Sequence, residues 1–155
     1  MSVLTKLLPV AALGIVGAMN SDALKGNIDI IRKAKIAATS GIEMRGIADA
    51  VASGYTANKR LPLMNFSGFL KENMVEKGGG TTRDRSQDMW EMPYRIVLDV
   101  EKNAFHIWSA GPDKTWVTPD DLKYVYVLTG IGGKDAISAR QKQEWTAVVT
   151  RYKRE

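Results

Sequence analysis

Between Ser21 and Tyr55 the chain contains no proline, and its apolar residues recur at helical steps. Leu24, Ile28, Ile31, Ala38 and Ile42 are spaced by three to seven residues, and Ile47 and Val51 continue on a drifting face. Ser21 and Asp22 are suited to capping an N-terminus, while Arg32, Lys33, Lys35, Glu43 and Arg45 fall on the solvent side of this pattern. A helix with one apolar stripe must bury that stripe against something. The second half of the chain supplies a sheet.

Upstream of the helix lies a more apolar run, Val3 to Met19, in which Thr5 and Lys6 are the polar residues. As a helix its 17 residues would reach roughly 25 Å, slightly short of a bilayer core. It contains Pro9 and is rich in Ala and Gly. Three readings fit. It is a secretory signal with Lys6 as its charged region and Val16-Gly17-Ala18 as a small-residue cleavage site; it is a retained membrane anchor running on into the soluble part; or it is a buried core helix.

From Asn58 to Gln87 the pattern breaks into loop chemistry, with Lys59-Arg60-Leu61-Pro62, a short apolar turn over Phe66–Leu70, and Gly78-Gly79-Gly80. Tyr94–Val100 and Ala104–Trp108 then read as strands joined by Glu101-Lys102-Asn103. Ile96, Leu98 and Val100 alternate with Val97, Asp99 and Glu101, the period of a half-buried hairpin. Tyr124–Leu128 is a third strand able to pair with them. A helix is predicted from about Asp135 to Tyr152, with Ile137, Trp145, Val148 and Tyr152 on one stripe. Trp90, Trp108, Trp116 and Trp145 are expected to pack in the sheet layer and core.

Composition removes much chemistry. The 155 residues contain no Cys and one His, so disulfides, thiolate metal sites, a thiol nucleophile and a multi-histidine zinc site are excluded. His106 stands between Phe105 and Ile107 and points to the opposite face of its strand, which fits a structural histidine better than a catalytic one. The formal charge of +5 is a tail property: residues 1–133 carry 16 Lys+Arg against 14 Asp+Glu, and residues 134–155 carry six against three. The body mixes both signs without a basic face interleaved with aromatics, so nucleic acid is not an expected partner.

The glycines at Gly130-Ile-Gly-Gly133-Lys134-Asp135 do not form a Walker loop, which would need Gly at Leu128 and Ser or Thr at Asp135. The richest candidate site is the loop Ser109 to Asp121, which offers Asp113, Asp120 and Asp121 with Gly and Pro bends. Hard cations take several oxygen ligands, and such a loop can wrap one. Equally, Pro-Asp and Pro-Asp-Asp favour a solvated turn and a helix start, with Asp120 as the cap. The spacing is not that of an EF-hand.

The order of these pieces, with three local motifs, resembles the type IV pilin superfamily, and within it the major pseudopilins of type II secretion systems. Tyr55-Thr-Ala-Asn58-Lys-Arg60-Leu-Pro62 is similar to the family's helix exit. Asp88-Met-Trp90-Glu-Met-Pro93-Tyr94 is similar to its D-x-W-x-x-P-Y entry into the sheet. Ser109-Ala-Gly111-Pro-Asp113, followed by Asp120-Asp121-Leu122, is similar to its calcium loop. The likeness covers roughly residues 3–122.

The resemblance implies an α+β, pilin-like fold: a long N-terminal helix packed on a small antiparallel sheet, here with a C-terminal helical extension. It divides the chain into an apolar membrane or filament-core segment (1–20), a helix-and-sheet domain (21–133) and a basic extension (134–155). It implies a structural, non-catalytic subunit of a pilus or pseudopilus filament engaged in protein transport. The subunit would assemble as a helical homo-oligomer with inner-membrane assembly machinery, at the inner membrane and periplasm or in an extracellular filament. Calcium would be held by the side chains of Asp113 and Asp120 and backbone oxygens near Ala110 and Thr118, with support from Asp121. Membrane and filament contacts would come from Lys6, Leu7, Leu8, Val10, Leu13, Ile15 and Val16. The N-terminus departs from the pattern, because Lys6 stands where the family's glutamate falls. A pilin-fold binding module that is anchored or secreted but does not polymerise is the alternative.

Overall fold

The computed structural model describes residues 21–74 and 83–155; the expected assembly segment with Lys6, Leu7, Leu8, Val10, Leu13, Ile15 and Val16, and the triple glycine at 78–80, lie outside them. The chain divides into two units, Met1–Ala38 and Thr39–Glu155. In the first, the described residues are helical and belong to α1 (Ser21–Asn58), where Ile28, Ile30 and Ile31 are exposed. Among the described residues no helix is long and apolar enough to cross a membrane.

In the second unit, α1 buries Met44, Ile47, Ala48, Val51 and Tyr55 at steps of three and four. These residues fix the phase of the helix. At about 100° per residue, Ile42 falls roughly 160° away from Met44 around the axis, and it is 71% exposed. The stripe expected to include Ile28, Ile31 and Ile42 is thus corrected: the buried face belongs to residues 40–55. Glu43, expected on the solvent side, is also buried. The helix ends where Lys59 takes a left-handed φ of 54°, its N–H still bonded to the Tyr55 carbonyl at 2.6 Å.

The run at Phe66 is a helix, α2 (Phe66–Asn73), rather than a turn. Asn65 caps it by accepting from the Gly68 N–H at 3.1 Å, and Phe66 and Leu70 face the core. Strands β1 (Arg95–Asp99), β2 (Ala104–Ser109) and β3 (Leu122–Val127) form an antiparallel sheet in the order β1-β2-β3. The register places Ile96 opposite Ile107 and Tyr124, and Leu98 opposite Phe105 and Tyr126. These make the inner face, with Phe105 stacked on Tyr126 at 5.2 Å. The outer face carries Val97, His106 and Val125 in one row and Arg95, Trp108 and Lys123 in the next.

Beyond β3 a single turn, α3 (Thr129–Gly132), leads to α4 (Ala139–Tyr152), which opens with a capping box between Ser138 and Gln141. Residues 134–155, read from sequence as an extension, place Ala136, Ile137 and Val148 in the same core as α1, α2 and the sheet. The Tyr55 hydroxyl donates to the Ala136 carbonyl at 2.8 Å, tying this segment to the end of α1. All four tryptophans are partly buried and none lies in the fully buried core. The core is filled by aliphatic residues with Phe66, Phe105, Tyr55 and Tyr94.

Candidate functional site

The acidic loop leaves β2 at Ser109 and Ala110, both fully buried, and turns at Gly111 with φ of 70°. A Cβ on Gly111 would lie 2.4 Å from the Asp120 carbonyl oxygen, so a side chain here would collide with the returning strand of the loop. The return brings together residues seven positions apart. The Asp113 N–H donates to Asp120 Oδ2 at 3.1 Å, and the Thr118 hydroxyl donates to Asp120 Oδ1 at 2.6 Å. Asp121 Oδ2 accepts from the Val117 N–H at 2.9 Å, and Asp113 Oδ1 accepts from the Thr115 N–H at 2.8 Å. Val117 takes a left-handed φ of 66°, which a β-branched residue tolerates poorly, so the carboxylates hold a locally strained turn.

The hydroxyl bond from Thr118, followed by the Asp113 N–H, holds the Asp120 carboxyl below the usual carboxylate range. Each Asp120 oxygen accepts one of these bonds and retains a second lone pair. The Asp113 N–H bond brings these two aspartates side by side, which suits a hard cation at two carboxylates. Asp121 is turned toward the N–H groups of Val117 and Thr118, and the Thr118 carbonyl accepts from the Asp121 N–H at 3.2 Å. Among the described residues no three His, Cys, Asp or Glu side chains converge as a metal-binding group.

The D-x-W-x-x-P-Y segment has a local physical cause. Asp88 is fully buried; its Oδ1 accepts from the N–H groups of Trp90 and Met92, each at 2.9 Å, and its Oδ2 accepts from the Ser109 hydroxyl at 2.6 Å. The carboxylate thus shapes the turn into β1 and anchors the start of the acidic loop. Arg83 donates to the Gln87 and Asp88 carbonyls and to Glu43, which also receives Arg85 at 2.9 Å and the Tyr94 hydroxyl at 2.8 Å. Burial, reinforced by the Glu43 carboxylate, pushes the Tyr94 phenol well above its ordinary value.

The loop also borders a cleft of about 850 Å³ on the outer face of the sheet, lined by Trp108, Trp116, Trp145 and Tyr152 among others. Arg95, 8% exposed, packs its guanidinium 4.2 Å from the Trp116 ring centre and 4.3 Å from that of Tyr152, and pairs with Glu155 Oε2 at 2.8 Å. Sequence reasoning missed this cluster. Its members come from β1, β2, the acidic loop, α4 and the residues that follow it, and no local spacing links them.

No family profile, curated protein or solved structure matches the chain.

Proposed function

We propose that the protein is a structural subunit of a pilus or pseudopilus-type filament, with an acidic loop that takes calcium, and that it performs no catalysis. The observation that carries this reading is the division of labour along α1. Residues 40–55 supply the core of the helix-and-sheet unit, whereas Ile28, Ile30 and Ile31 are 57, 66 and 56% exposed. Isoleucines exposed on a helix that continues from an apolar segment are suited to helix–helix packing between copies. The Ser109–Asp88 bond supports the same reading, because it joins two of the three motifs that carry the resemblance. In the assembly, the apolar helices would exchange lipid contacts for contacts with one another.

Full-length protein, extracted in detergent and then diluted from it, is expected to form helical fibres in negative-stain electron micrographs. A monodisperse, detergent-independent monomer in calcium buffer, with residues 1–19 intact, overturns the proposal. The broad aromatic cleft is the specific feature favouring the second reading, a pilin-fold binding module that does not polymerise.

A further inference from the structure

The cleft on the outer face of the sheet has a built-in charge preference. Arg95 is nearly removed from water, and a guanidinium in that position is costly unless an anion pairs with it. The aromatic rings of Trp116 and Tyr152 flank it, so strong pairing must come at its N–H groups, where Glu155 supplies a carboxylate at 2.8 Å. That carboxylate belongs to a side chain 53% exposed, whereas the Arg95 side chain is 9% exposed. The buried partner is fixed and the exposed one is exchangeable. Replacing Glu155 by another carboxylate preserves the ion pair, whereas a neutral ligand displacing it would strand the arginine.

The surroundings narrow the class of ligand. Lys114 and Lys153 line the same cleft, so its lining carries three cations against the single carboxylate of Glu155; Lys114 also lies 3.9 Å from Glu91. Trp108, Trp145, Val149 and Pro93 contribute apolar lining to the cleft that holds Arg95. At about 850 Å³ the space is far larger than one carboxylate needs and matches a short peptide with apolar residues flanking an acid.

We infer that this cleft is a docking site for an acidic segment of a partner polypeptide, whose Asp or Glu displaces Glu155 from Arg95 while neighbouring apolar side chains pack on the tryptophans. Glu155 acts as a resident competitor. This goes beyond the filament reading and stands without it, because all the residues involved lie in the Thr39–Glu155 unit.

The test is to pan phage-displayed random dodecapeptides against full-length wild type and Glu155→Gln. Enriched peptides are then measured by fluorescence anisotropy. The expected result is enrichment of peptides with Asp or Glu beside apolar residues, binding roughly fivefold or more tighter to Glu155→Gln than to wild type. Changing the peptide's acid to its amide should weaken binding at least tenfold or so. Arg95→Gln should abolish it; should that variant fail to fold by circular dichroism, the Glu155→Gln comparison alone decides. No enrichment, enrichment without acids, equal affinity for wild type and Glu155→Gln, or an amide peptide binding as well as the acid each overturns the proposal. Glu155-dependent sedimentation with phosphatidylserine vesicles in place of peptide binding overturns it as well.

Discussion

The Ser109 hydroxyl donates a 2.6 Å hydrogen bond to Asp88 Oδ2, and both side chains are fully shielded from water. The bond joins the turn entering β1 to the end of β2, where the acidic loop starts. Asp88 satisfies its other oxygen with two backbone N–H groups, so Ser109 is the hydroxyl donor to a buried carboxylate.

Ser109→Ala is therefore expected to destabilise by about 1–3 kcal/mol, the cost of leaving a buried acceptor without its donor. Urea unfolding should show a lower midpoint with an unchanged slope. Ser109→Thr keeps the hydroxyl but adds a methyl group at a fully buried position, so it should recover only part of the loss. A midpoint equal to wild type in Ser109→Ala would show that the bond contributes nothing net.

A second junction is set by Gly132. A Cβ there would lie 2.4 Å from the Tyr55 hydroxyl and 2.6 Å from the Ala136 Cβ. Gly132→Ala should force Tyr55 off the Ala136 carbonyl and cost about 1–3 kcal/mol through overpacking. Tyr55→Phe, which removes only the hydroxyl, is expected to cost about 1 kcal/mol. Because both act on one contact, the double variant should lose less than the sum of the single losses in thermal unfolding.

His106 gives a pH dependence of known sign. Desolvation pushes its imidazole below the ordinary value of 6.5, against the pull of Asp99, while Lys102 and Lys123 add to the lowering. Its Nε2 is 3.6 Å from Asp99 Oδ2 and makes no hydrogen bond. The folded state therefore takes up a proton less readily than the unfolded state. Between the depressed folded value and 6.5 the unfolded chain holds more protons, so stability falls as pH drops below about 6.5. Melting temperatures of wild type should decline over that range more steeply than those of His106→Gln. Parallel profiles would remove His106 as the cause.

The legible and illegible parts of the fold separate by sequence distance. Ile47, Val51, Ile96, Leu98 and Val148 could be placed because periodicity within one element reports which side is apolar. Ile42 was misplaced because the same periodicity does not say which of two drifting stripes meets the sheet; the residues around Met44 and Val51 decide that. Glu43 looked like a solvent-facing charge because its partners, Arg83, Arg85 and Tyr94, are 40 or more residues away. The aromatic environment of Arg95 was hidden for the same reason. In the acidic loop, the residue types were evident from composition, but the Asp113 N–H bond to Asp120 was not, because it depends on the left-handed turn at Gly111.

The loop provides the test of calcium. Asp120 accepts from the Asp113 N–H and the Thr118 hydroxyl and would serve a cation with its remaining lone pairs, so its two roles can be separated. At calcium about 100-fold above Kd, mass action would stabilise the wild type by about 2.7 kcal/mol, read as a rise in Tm that a chelator reverses. Asp113→Ala should lose that calcium-dependent rise while changing the metal-free Tm little, since its carboxylate caps only the exposed Thr115 N–H. Asp120→Ala should lose the rise and also lower the metal-free Tm, because two loop donors lose their acceptor. Asp121→Asn should lower the metal-free Tm through the Val117 turn and keep part of the calcium response. If calcium and chelator leave the wild-type Tm unchanged, the loop is a carboxylate-capped turn and the metal assignment is wrong.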